Sequence, residues 1–545
     1  MPDPTGGDPL TTRPPGDARQ GGRLGGAAPR SPGGMVAGRM LAGAAARFRD
    51  REALFCAGTG RRFTFGQANE RSNRLAHALT GLGLRKPDVV AFLCNNRAEI
   101  VETFFALAKA GLVGVPLNYR LAPVEAVALM RAMGARALLF ADCFAATAVA
   151  TREALPEVRH YVAIGESAGP DWALRYEALL AGGFPEEPGV EIQEDDPFYF
   201  NLTSGTTGLP KSYVLTHYHA ATASQSFAVL DISSRDVVMT AFPAFGRVGF
   251  SWIGAGAIWG ARNVLLDFAP AEALRLIGTE RVTITNLVPT MAALMLAEPG
   301  LAQADLRSLR ALAFAGAMFP GPLRERVTAA LSPNVWEYYG MQETGILTVS
   351  APEDRARRPE SVGLPGWFAE VQIERSDGTC AGPGELGEIL GRAPSAVSAY
   401  FDHPAKSAET FRSGWVHTGD LGYMDEQGYL FIRGRLKDMI ITGGQNVHAA
   451  EVEEVILRLP GVAECAVFGL PDEVWGERVA AAVVVAAAAG GSFSAVTVEA
   501  ACRECLAGFK VPRTIVLQKE PLPRTPTGKV QKFLLVERHA GQSHT

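Results

Sequence analysis

The chain has 545 residues, 47% of them apolar and 20% charged, and a formal net charge of −5. That length holds about three or four domain-sized units with sizeable buried cores, and the acidic balance gives no electrostatic case for nucleic acid as the main partner. No stretch reaches the roughly 18 consecutive apolar residues of a membrane helix; the nearest, 479–489, ends in Gly490-Gly491 and reads as a buried strand.

Seven cysteines are scattered, at 56, 94, 143, 380, 465, 502 and 505. Cys502 and Cys505 have the C-x-x-C spacing, but no second pair or nearby histidine completes a metal site, so neighbouring places on a short helix account for them. A reducing, cytoplasmic setting fits this usage. Residues 1–34 are dense in Gly, Pro and Arg without an apolar run. They lack the core of a signal peptide and are expected to be disordered. Met35 opens ordinary composition and is a candidate translation start, which mass spectrometry of the native N-terminus would decide.

From Phe63 the pattern alternates helix and strand. Thr64 and Gln67 have capping-box spacing ahead of a helix running to Leu79. Residues 89–94 read as a buried strand, 99–110 as a helix, 113–117 as a strand and 137–140 as another, and Pro123 stands where a helix would start. Such alternation predicts an α/β fold of doubly wound parallel layers.

The aromatic run Asp196-Pro-Phe-Tyr-Phe-Asn-Leu reads as a strand delivering Leu202-Thr-Ser-Gly-Thr-Thr-Gly-Leu-Pro-Lys-Ser212. Glycines let backbone N–H groups turn toward an anion, and three hydroxyls and Lys211 complete a phosphate cage; the plainer alternative is a polar surface turn. It is no Walker loop. Lys211 and Ser212 fall at the right spacing from Gly205, but Pro210 holds the second glycine's place and has no N–H to offer.

Residues 237–242 read as a strand broken by the loop Pro243-Ala-Phe-Gly-Arg-Val-Gly249. Residues 282–288 and 312–314 read as further strands, the latter running into Ala315-Gly316-Ala317, small enough for a flat ring or for tight strand–helix packing. In Val335-Trp-Glu-Tyr-Tyr-Gly-Met-Gln-Glu343-Thr, Tyr339 offers a stacking face, Gly340 close approach and Glu343 a carboxylate suited to a divalent cation, or plain solvated surface. Beyond Gly366 the period drops toward two, predicting a small β-rich unit that ends in Trp415-Val-His-Thr-Gly-Asp420. There Asp420, behind a tight turn, either accepts from ribose hydroxyls or merely caps the turn. A boundary is expected at Gly434-Arg-Leu-Lys-Asp438. Past it, Val452, Val455, Ile456 and Leu459 fall at i, i+3, i+4, i+7 of a helix. Strands at 465–468 and 479–485 flank a turn with Pro471-Asp472. These make a small α+β unit with its own core, near whose end Pro523-Arg-Thr-Pro-Thr-Gly-Lys529 presents one lysine on a stiff loop.

With these motifs in order, the chain resembles the adenylate-forming superfamily of acyl-CoA synthetases, luciferases and peptide-synthetase adenylation domains. The resemblance spans about 35 to 532 and rests on Thr203-Ser-Gly-Thr-Thr-Gly-Leu-Pro-Lys211, Tyr339-Gly-Met-Gln-Glu343, Thr418-Gly-Asp420, Gly434-Arg-Leu-Lys-Asp438, Gly443-Gly-Gln-Asn-Val447 and Thr527-Gly-Lys529. It implies an N-terminal domain over 35–434 with a β-barrel-like part, and a mobile C-terminal domain over 435–545. It implies two half-reactions: ATP and a carboxylate give acyl-AMP and pyrophosphate, then a thiol displaces AMP. By this likeness Thr203, Ser204, Gly205, Thr206, Thr207, Gly208 and Lys211 would hold the β- and γ-phosphates. Ala315, Gly316 and Ala317 would flank adenine with Tyr339, Gly340 and Met341, and Glu343 would hold Mg²⁺. Asp420 and Arg435 would hold ribose, Lys437 would be the hinge, and Lys529 would bridge carboxylate and α-phosphate. Gly443 and Gly444 would line the path of coenzyme A.

Four departures stand out. Ser212 replaces a usual glycine. Gln342 stands where threonine is usual, so an amide would contact the α-phosphate or substrate carboxylate. His448 and Ala449 replace an aromatic and a proline. Gly246 replaces the histidine after the aromatic Phe245, which predicts a more open or differently closed acyl entrance. Residues 240–252 carry no carboxylate to meet an amino acid's ammonium, and 16 residues follow Lys529, too few for a carrier domain. Walls drawn from Phe245, Gly246, Val248, Phe250, Trp252 and Met341 suit an aliphatic or aryl acid, with free CoA as acceptor. The rivals are an enzyme loading a separate carrier protein, a P-loop hydrolase or kinase (disfavoured by Pro210), and a non-catalytic nucleotide-binding relative.

Overall fold

The computed structural model describes residues 34–165, 169–202, 211–486, 493–524 and 530–540. The expectations for 1–33, for Thr203, Ser204, Gly205, Thr206, Thr207 and Gly208, and for Lys529 fall outside the described residues.

Two mostly parallel sheets carry the first part of the chain. One runs Leu174–Arg175, His160–Ile164, Ala135–Ala141, Val89–Leu93, Val113–Pro116, Pro197–Leu202 and Ser212–Thr216, with only the last pair antiparallel. The other has a parallel centre, Val335–Met341, Ala311–Phe314, Ile284–Leu287, Val237–Thr240, Arg262–Leu265 and Glu52–Cys56, closed at both edges by antiparallel strands. These strands are short continuous apolar runs because helices cover both faces. The helix Ala98–Ala110 is buried at every position. It tolerates Glu102 because Arg71 donates to that carboxylate at 2.7 and 3.2 Å and the Tyr176 hydroxyl at 2.7 Å, leaving no unpaired buried charge.

The helix Phe65–Gly81 starts on the expected capping box: the Gln67 amide N donates to the Thr64 hydroxyl, and the Thr64 N–H to the Gln67 side chain at 2.9 Å. Thr64→Ala is expected to destabilise this region by about 1 kcal/mol, read as an earlier urea transition.

A third, antiparallel sheet is built from Glu370–Glu374, Gly387–Arg392, Trp415–Met424 and Phe411–Arg412, with Leu430–Arg435 paired to the long strand. The expected tight turn before Asp420 is a β-bulge instead. Gly419 has φ +70, the Asp420 N–H donates to the Thr418 hydroxyl at 3.0 Å, and the ladder shifts register between Glu388 and Leu390. The residues have turn chemistry, but the flanking strands keep pairing and the chain does not reverse. A fourth sheet holds Gln445–His448, Met439–Thr442, Gly476–Val485 and Val462–Asp472, with Thr514–Gln518 parallel to Gly476–Val485. Here Pro471 and Asp472 are the last two residues of the strand, opposite Glu477 and Gly476, and the turn proper is 473–475, whose Val474 and Trp475 N–H groups donate to the Asp472 carboxylate at 3.0 Å. Helix Ala449–Leu457 buries Val452 and Ile456 against this sheet.

Cys502 is buried and Cys505 exposed on the helix Ala495–Cys505, both as free thiols. No helix among the described residues is long and apolar enough to cross a membrane.

Candidate active site

A cleft of about 2190 Å³ is lined by ends of the second sheet's parallel strands, the third sheet, the turn at Leu436–Asp438 and helix Ala449–Leu457. A pocket for one small molecule spans roughly 300–1,000 Å³, so this cleft has room for a nucleotide and a second substrate. It lies where open α/β sheets collect ligands, beyond the carboxyl ends of parallel strands.

Ala315, Gly316 and Ala317 follow directly on Ala311–Phe314 and line the cleft. Gly316 has φ +85, a left-handed turn that an L side chain would strain. Tyr339, Gly340 and Met341 end the neighbouring strand and line the same space. At Gly340 a Cβ would sit 1.9 Å from the Gly345 carbonyl oxygen, so Val335–Met341 and its antiparallel neighbour Gly345–Ser350 approach too closely there for any side chain. The Tyr339 hydroxyl donates to Asp420 Oδ2 at 2.8 Å, and Arg435 Nε lies 3.1 Å from Asp420 Oδ1. Asp420 and Arg435 are cross-strand partners. Burial, then the Asp420 charge, push the Tyr339 phenol well above its ordinary pKa, so it stays a neutral donor.

Glu343 is 6% exposed and lines the cleft. The Tyr400 hydroxyl donates to its Oε1 at 2.6 Å, and Lys211 Nζ lies 5.0 Å from the Tyr400 ring centre. Burial, then Lys406, lower the Lys211 pKa, with Lys437 adding to this and Glu343 and Glu409 opposing it. One corner of the cleft therefore gathers three ammonium groups around two carboxylates. A carboxylate in that position fits a hard divalent cation, which takes one or two carboxylates and completes its shell with phosphates and water. Lys437 sits in the single turn between the third and fourth sheets and lines the cleft.

Phe245, Gly246 and Val248 line the cleft together with Met341. Phe250 and Trp252, expected beside them, are 0% and 1% exposed and belong to the core, Trp252 stacked on Phe227 at 4.1 Å. The reason is that the expected loop ends early: a helix, Arg247–Trp259, begins inside it and turns those two side chains inward. The Phe245 ring meets Tyr119 edge-on at 5.3 Å, beside Gly246, the residue that stands in the place of the family's histidine. Gly443 and Gly444 form the tip of the hairpin Met439–Thr442/Gln445–His448, with φ +56 and +76, and are not among the residues lining the cleft. The Gly443 N–H donates to the Trp475 carbonyl at 2.8 Å.

Several residues at this site carried no sequence signal. Tyr400 could not be told from any surface tyrosine without the fold, and neither could Lys406. Asn201, Tyr213 and Arg247 surround Gln342 in the interior. Glu374, Glu388 and His417 also cluster, their ligand atoms within 4.8 Å, but Arg412 already places a guanidinium nitrogen 2.7 Å from His417 Nδ1.

Known proteins share this architecture. The family described as AMP-binding enzyme matches residues 41–401, and its C-terminal domain matches 451–529. Long-chain-fatty-acid–CoA ligase FadD13 of Mycobacterium tuberculosis is 35% identical over 489 residues, 88% of this chain and 93% of the relative. Fatty acid–[acyl-carrier-protein] ligase ScoC of Streptomyces coeruleorubidus is 35% identical over 89% of this chain and 93% of its own. The crystal structure of the anthranilate CoA ligase AuaEII with anthranoyl-AMP superposes with a TM-score of 0.84 at 30% identity, covering 92% of this chain and 96% of that one.

Proposed function

Since this chain belongs to the AMP-binding enzyme family and is an adenylate-forming ligase that binds ATP, we propose that it is an acyl-CoA ligase for an aliphatic or aryl carboxylic acid. The observation that carries the reading is the meeting, in one cleft, of Lys211, Tyr339, Glu343, Asp420, Arg435 and Lys437 with a wall of Phe245, Val248 and Met341. A charged half beside an apolar half suits a triphosphate beside an acid's hydrocarbon or ring.

In the first half-reaction the acid's carboxylate oxygen attacks the α-phosphorus, a new C–O–P linkage forms, and the bond to pyrophosphate breaks. Two anions must approach, so the chain's part is to hold them and offset their repulsion with fixed positive charge. Lys211, with Thr203, Ser204, Gly205, Thr206, Thr207 and Gly208, takes the β- and γ-phosphates. Ala315–Ala317 (Gly316 between them) and Tyr339–Met341 flank the adenine, and Asp420 and Arg435 take the ribose. Gln342 offers an amide to the reacting anions, and Lys529 bridges them. Glu343 would hold Mg²⁺, which when bound supplies charge against the phosphate oxygens. In the second half-reaction residues 435–545 swing about Lys437, bring Gly443 and Gly444 toward the cleft and admit the thiol, whose sulfur takes the acyl carbon as AMP leaves.

Loading of a separate carrier protein is the second reading, favoured by the likeness to ScoC. Purified protein given ATP, magnesium and a panel of benzoate-type, cinnamate-type and short- to long-chain fatty acids should release AMP with at least one. CoA should turn over faster than phosphopantetheinylated carrier. Activity confined to polar or amino acids rules the acid class out, and ADP in place of AMP rules out the reaction.

A further inference from the structure

One departure noted in the sequence, Gln342, lines the cleft and is held from behind by a network centred on Arg247, the residue after Gly246. Arg247 is 3% exposed and opens the helix Arg247–Trp259. One of its terminal nitrogens donates to the Gln342 carbonyl and the other to the Ser395 carbonyl. Its Nε has no hydrogen-bond partner, and among the described residues no carboxylate forms an ion pair with it. A buried guanidinium without a counter-charge costs several kcal/mol, so its persistence needs a reason other than stability.

The network continues on both sides of the phosphate loop. Asn201 and Tyr213 are cross-strand partners on Pro197–Leu202 and Ser212–Thr216, the strands that lead into and out of that loop. The Tyr213 hydroxyl donates to the same Gln342 carbonyl at 2.5 Å. Asn201 Nδ2 donates to Gln342 Oε1 at 2.9 Å, and Asn201 Oδ1 accepts from the Arg247 N–H at 3.1 Å. With Oε1 engaged, Gln342 keeps its NH₂ as the free, donating end of the amide. The far carbonyl is held just as tightly in place: the Ser395 hydroxyl donates to the Thr344 carbonyl at 2.9 Å, and the Val397 N–H to the Glu343 carbonyl at 2.9 Å.

We propose that Arg247 is a positioning residue for adenylation. With Tyr213 and Asn201 it locks Gln342 so that the base of the phosphate loop, the acyl-wall helix and Glu343 keep one mutual geometry. This rests on the adenylating function proposed above. A planar fork that reaches two carbonyls at once is what arginine offers and lysine does not.

The test separates the half-reactions. Arg247→Lys keeps the charge and loses the fork. It should lower the maximal rate of acid-dependent pyrophosphate exchange about 10- to 100-fold, the size of one lost charge-assisted hydrogen bond. The KM for ATP and thiolysis of supplied acyl-AMP should each stay within about threefold. Tyr213→Phe removes the neighbouring donor to the same carbonyl, so it should show a smaller loss in the same half-reaction, and the double variant should fall less than the two losses multiplied. Wild-type exchange in Arg247→Lys, equal losses in both half-reactions, or full multiplicativity overturns the proposal; should Arg247→Lys fail to fold, unchanged exchange in Tyr213→Phe overturns it. If wild-type protein exchanges pyrophosphate with no acid, the functional reading has failed separately. Amide hydrogen exchange then judges the network: Tyr213→Phe should speed exchange in 339–344 and 247–251 together, and protection unchanged in both overturns it.

Discussion

Replacing Glu343 by glutamine is expected to lower acid-dependent pyrophosphate exchange about 10²–10³-fold, the scale of losing one preorganised electrostatic group. The substitution is nearly isosteric, and the amide oxygen can still accept from Tyr400, which now donates at 2.6 Å. The fold should therefore survive, and thermal midpoints should agree within a few degrees. What changes is charge in the corner that also holds Lys211, Lys406 and Lys437. There the carboxylate offsets ammonium repulsion on Lys211 and is suited to the divalent ion that accompanies ATP. A magnesium titration gives the second readout: half-maximal activity should move to higher magnesium in the variant. Equal rates and equal magnesium dependence would remove Glu343 from the site.

Lys529→Ala is expected to cost adenylation on the order of 10²–10³ or more, again the weight of a positioned donor acting on developing charge, while leaving the thiol step nearly intact. The asymmetry follows from the chemistry. Only the first step drives a carboxylate against a phosphate anion; the second brings a thiol to an acyl carbon after pyrophosphate has gone. Supplying synthetic acyl-AMP bypasses the first step, so thiolysis by the variant should run close to the wild-type rate. Wild-type pyrophosphate exchange in Lys529→Ala would mean that the bridging ammonium is another residue, with Lys437 the first to try.

Much of the α/β architecture was legible because its signals are local. The capping box at Thr64, Pro123 at the first position of the helix Pro123–Met133 and the short apolar strands needed no long-range information. The cleft residues were legible as motifs because glycine spacing, a strand end and an acidic or basic side chain recur together in 339–343 and 434–438. Where reading failed, tertiary context decided. Thr418-Gly419-Asp420 has turn residues inside a strand whose partners keep pairing. Phe250 and Trp252 are as aromatic as a pocket wall, and only the helix phase set by Arg247 shows that they point inward. Tyr400, Asn201 and Tyr213 act through contacts with residues 57, 141 and 129 positions away, distances over which no periodicity speaks.

The pairing of Asp420 with Arg435 has a mechanical corollary. Arg435 ends its strand two residues before Lys437, the proposed pivot, which lies within the single turn Leu436–Asp438 that follows directly. The proposed sugar seat and the proposed swivel would thus be almost the same piece of chain. On the roles proposed above, a nucleotide that draws on Asp420 would compete with the guanidinium that tethers this strand end, so filling the seat would slacken the swivel and emptying it would tighten the swivel again. Occupancy and rotation would in this way be geared to each other, without a relay through the rest of the molecule.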